Sequence, residues 1–416
     1  FRLDEAERTD RLATEAQVSW YGNAWVELAE LYVREARHAE ALEALRQAPI
    51  YRNKRPPHVR DSDRSEGRRA LASFFLIAGR AEDAVRVSQE ALAAPDRRAH
   101  QSRDPAQDVA IAALLDRASR RLLAERLIED AVDAPLHERA AAWLRAQSAR
   151  WMAWQSGRTA ARNLADEDRL VGTFMIGTHR SAVMPPWLAG ELVDVLGPGV
   201  VREAVRRARS QDRREGAAAY YDAFEAEAAL AAGDPERALE LAARAQAGLG
   251  PGEALLGVRA LAVEAQAARE LDRRERSLAA YDRIFQADPG LMRRLGWSVP
   301  ARFSASGEIA EEVASLLASS PRLETGDWGL SVRIEADRSQ GRACLVSASG
   351  AVLGCGEARA EAGDDADRLA GRIADAFHAQ VFAPRVDLSQ ADASGLDGSN
   401  RTSRDPLRTL FDPGEE

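Results

Sequence analysis

Apolar residues recur at helical spacing through most of the first 300 residues, and the pattern falls into pairs. Tyr21 to Pro49 reads YGNAWVELAELYVREARHAEALEALRQAP. Trp25, Leu28, Ala29 and Tyr32 share one face of a first helix, and Ala41, Leu45 and Ala48 one face of a second. Small Ala29 and Ala41 let two antiparallel helices approach, while Trp25, Leu28, Tyr32 and Leu45 fill the seam. LASFFLIAGRAEDAVRVSQEALAAPD predicts a second pair on Leu71, Ala72, Phe75, Ala84 and Ala91, with Gly79-Arg80 at the turn. Here Arg68 and Ser88 stand where the first pair has Trp25 and Leu45. A polar, Pro-containing insertion, YRNKRPPHVRDSDRSEG, separates the two and reads as a tolerated loop.

A third pair lies in AAAYYDAFEAEAALAAGDPERALELAARAQAGLGP. Its second helix opens at Asp234-Pro235, an N-cap followed by a first-turn proline, and Ala238, Ala242 and Ala245 form its small face. A fourth, ALAVEAQAARELDRRERSLAAYDRIFQADP, keeps Ala265, Tyr281 and Pro289 in register. The middle, about 107 to 216, is helical but off this pattern. Ala141, Leu144, Ser148 and Trp151 fall on one stripe, and Trp143, Trp151 and Trp154 are expected to pack between helices. Leu170 to Ile176 fits a helix or a buried strand; Pro185-Pro186 before Trp187 starts a helix, and Gly197-Pro198-Gly199 ends it.

These pairs resemble the tetratricopeptide repeat, whose signature runs W-x2-L-G-x2-Y, then A-x3-F, then A. Trp25, Leu28, Ala29, Tyr32, Ala41, Leu45 and Ala48 match it, with Ala29 in place of Gly and Leu45 in place of the aromatic. The resemblance covers about half of the helical region and none of residues 301 to 416. It implies a mainly α fold, an α-solenoid of antiparallel helix pairs whose concave face binds a protein or peptide. Carried onto this chain, the groove residues would be Asn23, Glu30, Arg69, Tyr220, Glu227, Arg259, Gln266 and Arg269.

After Phe303 the period changes to two. Leu330, Val332, Ile334 and Ala336 alternate with Ser331, Arg333, Glu335 and Asp337, which predicts a half-buried strand. RACLVSASGAVLGCGEA predicts a hairpin turning at Ser349-Gly350, with Ala348 opposite Ala351, Val346 opposite Leu353 and Cys344 opposite Cys355 on one apolar face. Leu369, Ile373, Phe377 and Val381 of a following helix would cover that face, after a short helix from Glu308 to Ala318. The expected organisation is therefore a helical repeat domain over 1–300, a small α/β domain over 301–385 with three antiparallel strands, and a tail over 386–416. In the tail, Leu407, Leu410 and Phe411 form an apolar cluster between Pro406 and Pro413.

The two cysteines fit either a cross-strand disulfide or two reduced, buried thiols; as a hydrogen-bonded pair their Cα atoms would lie about 5.5 Å apart. The 416 residues carry 57 Lys+Arg against 66 Asp+Glu, a net charge of -9, which disfavours nucleic acid as a partner. Lys54 is the only lysine, an arginine-for-lysine bias typical of GC-rich bacterial coding. A start at Phe1 rather than Met fits removal of a leader, lipoprotein type included, and so a periplasmic or outer-membrane-associated protein; the cytoplasm is the alternative. No run of about 18 apolar residues spans a bilayer.

Chemistry is sparsely signalled. No phosphate-binding, dinucleotide-binding, zinc-protease or nucleophile-elbow motif occurs. The six histidines are scattered at 38, 58, 100, 137, 179 and 378. No metal or cofactor is expected, and the reading is a non-enzymatic scaffold. The alternative is an enzyme or regulator with a site around Thr178, His179 and Trp187.

Overall fold

The computed structural model describes residues 3–18, 23–35, 37–51, 54, 64–93, 105–132, 134–164, 188–213, 216–250 and 254–383. The insertion at 55–63, the stretch 165–187 with Thr178, His179 and Trp187, and the tail with its Leu407, Leu410 and Phe411 cluster lie outside them.

Among the described residues, helix α1 (Leu3–Ala16) is followed by six helix pairs. They are α2 (Ala24–Arg34) with α3 (His38–Gln47), α4 (Arg64–Ile77) with α5 (Ala81–Ala93), and α6 (Pro105–Glu129) with α7 (Leu136–Asn163). Then come α8 (Ala189–Leu196) with α9 (Pro198–Gln211), α10 (Ala217–Ala231) with α11 (Pro235–Gly248), and α12 (Ala254–Glu270) with α13 (Arg274–Ala287). In the first pair Leu28, Ala29, Tyr32, Ala41, Leu45 and Ala48 are buried, so alanines close the seam that large side chains fill. Asn23 caps α2 through its Oδ1, which accepts from Trp25 N; Asp234 caps α11 by accepting from Arg237 N. Gly79, at φ +71°, makes the turn between α4 and α5, a left-handed conformation that costs a Cβ-bearing residue. The first helix of each pair also touches the first helix of the next, from α2 through α4, α6, α8 and α10 to α12. The irregular middle thus continues the same row.

Helix α14 (Leu291–Leu295) turns back from the end of the row and touches α6. The chain then enters a mixed sheet of β1 (Val299–Ser306), β2 (Leu323–Thr325), β3 (Leu330–Ala336), β4 (Gln340–Val346) and β5 (Val352–Arg359), in the order β2-β1-β3-β4-β5. Helices α15 (Ala310–Ala318) and α16 (Ala366–Val381) pack on the sheet. Three antiparallel strands were expected. β3, β4 and β5 are antiparallel, but β1 and β2 join them, each parallel to its neighbour. β1 escapes the pattern because Val299, Pro300 and Ala301 are all buried before alternation begins at Arg302.

The cysteine face also differs. Cys344 opposes Cys355 as expected, but an irregularity at Leu345/Val346 pairs Val346 with Val352, not Leu353, and the loop runs from Ser347 to Ala351. Val332 and Ile334 of β3 are buried and pair with Leu345 and Ala343, so Ala343 and Leu345 share the helix-covered side. Cys344, one residue out of phase, faces the other side with Arg333 and Arg342. Against β5, α16 approaches so closely that a Cβ on Gly356 would stand 2.0 Å from Phe377 N. Leu369, Ile373, Phe377 and Val381 are buried there. The cysteines form a disulfide with Cα atoms 4.1 Å apart, the spacing of a non-hydrogen-bonded cross-strand pair rather than the expected hydrogen-bonded one.

Candidate functional site

The row of first helices directs charged side chains inward. Glu227 of α10 and Arg259 of α12 form a buried pair, with Arg259 Nε donating to Glu227 Oε2 at 2.9 Å. Burial works against the Arg259 charge, yet the Glu227 carboxylate outweighs it and the guanidinium pKa lies above its usual value. Gly190 is the close-approach point of α8: a Cβ there would stand 2.4 Å from Arg259 Nη2 and 2.5 Å from Glu227 Oε1. Next to it, Glu191 accepts from Arg121 Nη1 at 3.0 Å and also pairs with Arg117, while Asp194, one turn on, takes a second contact from Arg121 at 2.6 Å. Burial raises the Glu191 pKa, with Arg121 and Arg117 opposing the shift.

These groups line a cavity of about 70 Å³, closed from the C-terminal side by Arg294, Leu295 and Trp297. That volume holds a few waters and excludes a peptide. Arg294 donates to Ile77 O at the end of α4 at 3.0 Å and pairs with Asp288. The chain's own Arg294, Leu295 and Trp297 therefore complete the lining of this cavity.

The eight groove residues are dispersed. Glu227 and Arg259 form the ion pair described above. Asn23 is fully buried as a cap, with Nδ2 donating to Ala48 O at 2.8 Å. Arg69 is fully buried, and Tyr220 packs its ring on Tyr221 and Phe224 at 5.3 and 5.0 Å. Glu30 is half-buried. Gln266, also half-buried, accepts from the Tyr281 hydroxyl at 3.5 Å, and Arg269 reaches Glu324 of β2 at 2.6 Å.

Exposed apolar surface lies elsewhere, on α7. Trp143, Trp151 and Trp154 are 56, 57 and 51% exposed, and Leu136 and Leu144 are exposed with them. The expectation that the tryptophans pack between helices is thus corrected. The seam with α6 is instead the opposite stripe, Ala146, Ala149, Ala153, Ser156, Gly157 and Ala160, all buried. Small residues fill that seam because α6 supplies the bulk, as Leu114, Leu115 and Leu122. Spacing of three and four between those small residues was the available signal; large side chains drew attention away from it. The exposed patch amounts to roughly 400–500 Å², the range of the largest patch on a monomer, which is often functional. Arg158 stacks over the Trp154 ring at 4.9 Å, and α7 carries five Arg to one Glu within a chain of net charge -9.

A third cluster joins the terminal domain to α6. Arg322 and Arg293 both pair with Glu129, at 2.8 and 2.6 Å, and His378 Nε2 lies 2.7 Å from Ser320 Oγ. Burial, aided by the Arg293 charge, lowers the His378 pKa to about 4, so the imidazole is neutral at neutral pH. Among the described residues no group of three or more His, Cys, Asp or Glu is placed to hold a metal ion, and no helix is long and apolar enough to cross a membrane.

Comparison with known protein-family models finds no match, and comparison with curated proteins finds no matching relative.

Proposed function

We propose that the protein is a non-enzymatic interaction scaffold: an α-solenoid of tetratricopeptide type that seats its own C-terminal α/β domain and presents α7 to a partner protein. Helix pairs in an unbroken row, each first helix against the next, support the solenoid reading. The concave side is used in cis, since the row converges on residues 294–297. The observation that carries the binding function is the exposed stripe of Trp143, Leu144, Trp151 and Trp154. Tryptophan anchors concentrate binding energy in protein interfaces. The arginine excess of α7 selects the partner's chemistry, an acidic segment with apolar anchors. The Cys344–Cys355 disulfide supports an oxidising compartment, the periplasm or the outer membrane of a bacterial cell.

The experiment is site-specific photocross-linking from Gln147, which lies between Trp143 and Trp151 on this face. In cells, the cross-linked adduct is expected to map to an acidic segment of another protein and to vanish with Trp151→Glu. Adducts to lipid alone, or none that respond to Trp151→Glu, would reject the reading.

A further inference from the structure

The side of the sheet turned away from Ala343 and Leu345 carries a cluster that the scaffold reading does not use. Cys344 and Cys355, the only two cysteines in the chain, sit opposite each other on β4 and on β5 at the sheet's edge, joined as a disulfide. Cys344 is buried and Cys355 half-buried. Arg342 directs its Nη2 to Cys355 Sγ at 3.1 Å, and Arg333 is paired with Cys344 across the β3–β4 ladder. Arg342 also lines an open depression of about 760 Å³, together with Glu335, Glu357 and Arg359. That volume is in the range of small-ligand sites.

We propose that Cys344–Cys355 is a thiol–disulfide exchange site, attacked at the half-buried Cys355 by a thiolate that approaches past Arg342, the residue that both lines the depression and contacts Cys355 Sγ. The rate of such exchange depends on access to the attacked sulfur and on stabilisation of the leaving thiolate. Access favours Cys355. The Arg342 guanidinium beside Cys355 Sγ favours a thiolate there, because nearby cations lower thiol pKa values. In the first step the incoming thiolate forms a bond to Cys355 Sγ, the Cys344–Cys355 bond breaks, and Cys344 leaves as a thiolate. A second thiolate then attacks the incoming sulfur of this mixed disulfide and releases Cys355 as a thiolate. The protein disulfide gains two electrons and the two incoming thiols become one disulfide; protons are taken up by the released thiolates as pH dictates. Charges of both signs around the depression suit a zwitterionic thiol peptide, and a dithiol protein would present the same sulfur.

The test incubates the full chain in glutathione redox buffers, or with a dithiol, then alkylates free thiols and reads intact mass. Under either reductant, equilibration between disulfide and dithiol with unchanged circular dichroism is the expected result; response to the dithiol alone would assign the source to a dithiol. Cys344→Ser should trap a glutathione adduct on Cys355. Arg342→Gln should slow the first step about threefold or more, whereas Glu357→Gln, which removes the 3.0 Å ion pair between Glu357 and Arg342 Nε but keeps the arginine, should not. A disulfide that resists both reductants until the protein unfolds would overturn the proposal, as would an Arg342→Gln variant reduced at the wild-type rate.

Discussion

Arg322 Nε stands 2.8 Å from Glu129 Oε1, both side chains 1% exposed, and this contact ties the entrance of β2 to the last turn of α6. The same guanidinium donates to the carbonyls of Met292 and Trp297 at 3.3 and 3.0 Å, and Arg293 brings a second charge to Glu129. Burial raises the Glu129 pKa, and the two arginines act against the rise. A buried charge left wholly uncompensated typically costs about 3–5 kcal/mol. Arg322→Ala leaves Glu129 with Arg293 as its remaining cation and should lose less than that in urea unfolding, about 1–3 kcal/mol. Unchanged stability would mean that the pair is dispensable.

His378 gives stability a pH dependence of defined sign. Its folded pKa, about 4, lies below the usual 6.5, so between these values the unfolded chain binds more protons. Stability from this group is complete above pH 6.5 and is lost as pH falls towards 4, by up to about 3 kcal/mol. His378→Gln should flatten that limb in unfolding measured from pH 4 to 7.

Glu27 works in the opposite sense. Burial, with Asp10 and Glu66 nearby, lifts its carboxyl from 4.5 to about 7. The folded state then binds more protons, and its contribution declines as pH rises from 4.5 through 7. Glu27→Gln should gain stability relative to wild type at pH 8 and not at pH 4, read as a difference in melting temperature.

Gly356 and Gly190 allow a comparison of two close contacts. An added methyl at Gly356 meets the backbone of α16, whereas at Gly190 it meets the ends of two side chains. Gly356→Ala should be the worse variant, costing about 3 kcal/mol or preventing the terminal domain from folding. Gly190→Ala should cost about 1–3 kcal/mol by displacing the Glu227–Arg259 pair. Equal effects in chemical denaturation would contradict this ranking.

Trp151→Ala and Trp154→Ala should each change stability by less than about 0.5 kcal/mol, since both rings are already half in water. A cost above 2 kcal/mol would show that another part of the chain covers them.

Much of the fold was legible locally. The seams of α2/α3 and α4/α5, the cap at Asp234, the strand at 330–336 and the helix over Leu369 to Val381 all follow from spacing and turn chemistry. The site was less legible. Asn23 at the cap of α2, and Arg69, Glu227 and Arg259 within helices, are polar, and the repeat resemblance places them in a wet groove, whereas all four are buried. Arg117, Arg121, Glu191 and Asp194 carry no local signal, because a charge network exists only once its members converge. On α7 the error ran the other way, with large apolar residues assigned to a seam that alanines fill.

By itself, the order of residues determined what each short segment would form, because helical and strand periods and their caps are interactions among near neighbours. Tertiary structure decided which face each segment buries and what fills the inner wall. Arg294, Leu295 and Trp297 reach the cavity lined by the first helices, and Arg322 reaches Glu125, 197 positions away, only once the helix pairs and the terminal domain have packed together. The parity of Cys344 was likewise set from outside its own hairpin, by Val332 and Ile334 of the neighbouring strand. Contacts made at such separations depend on packing angles that no local pattern encodes.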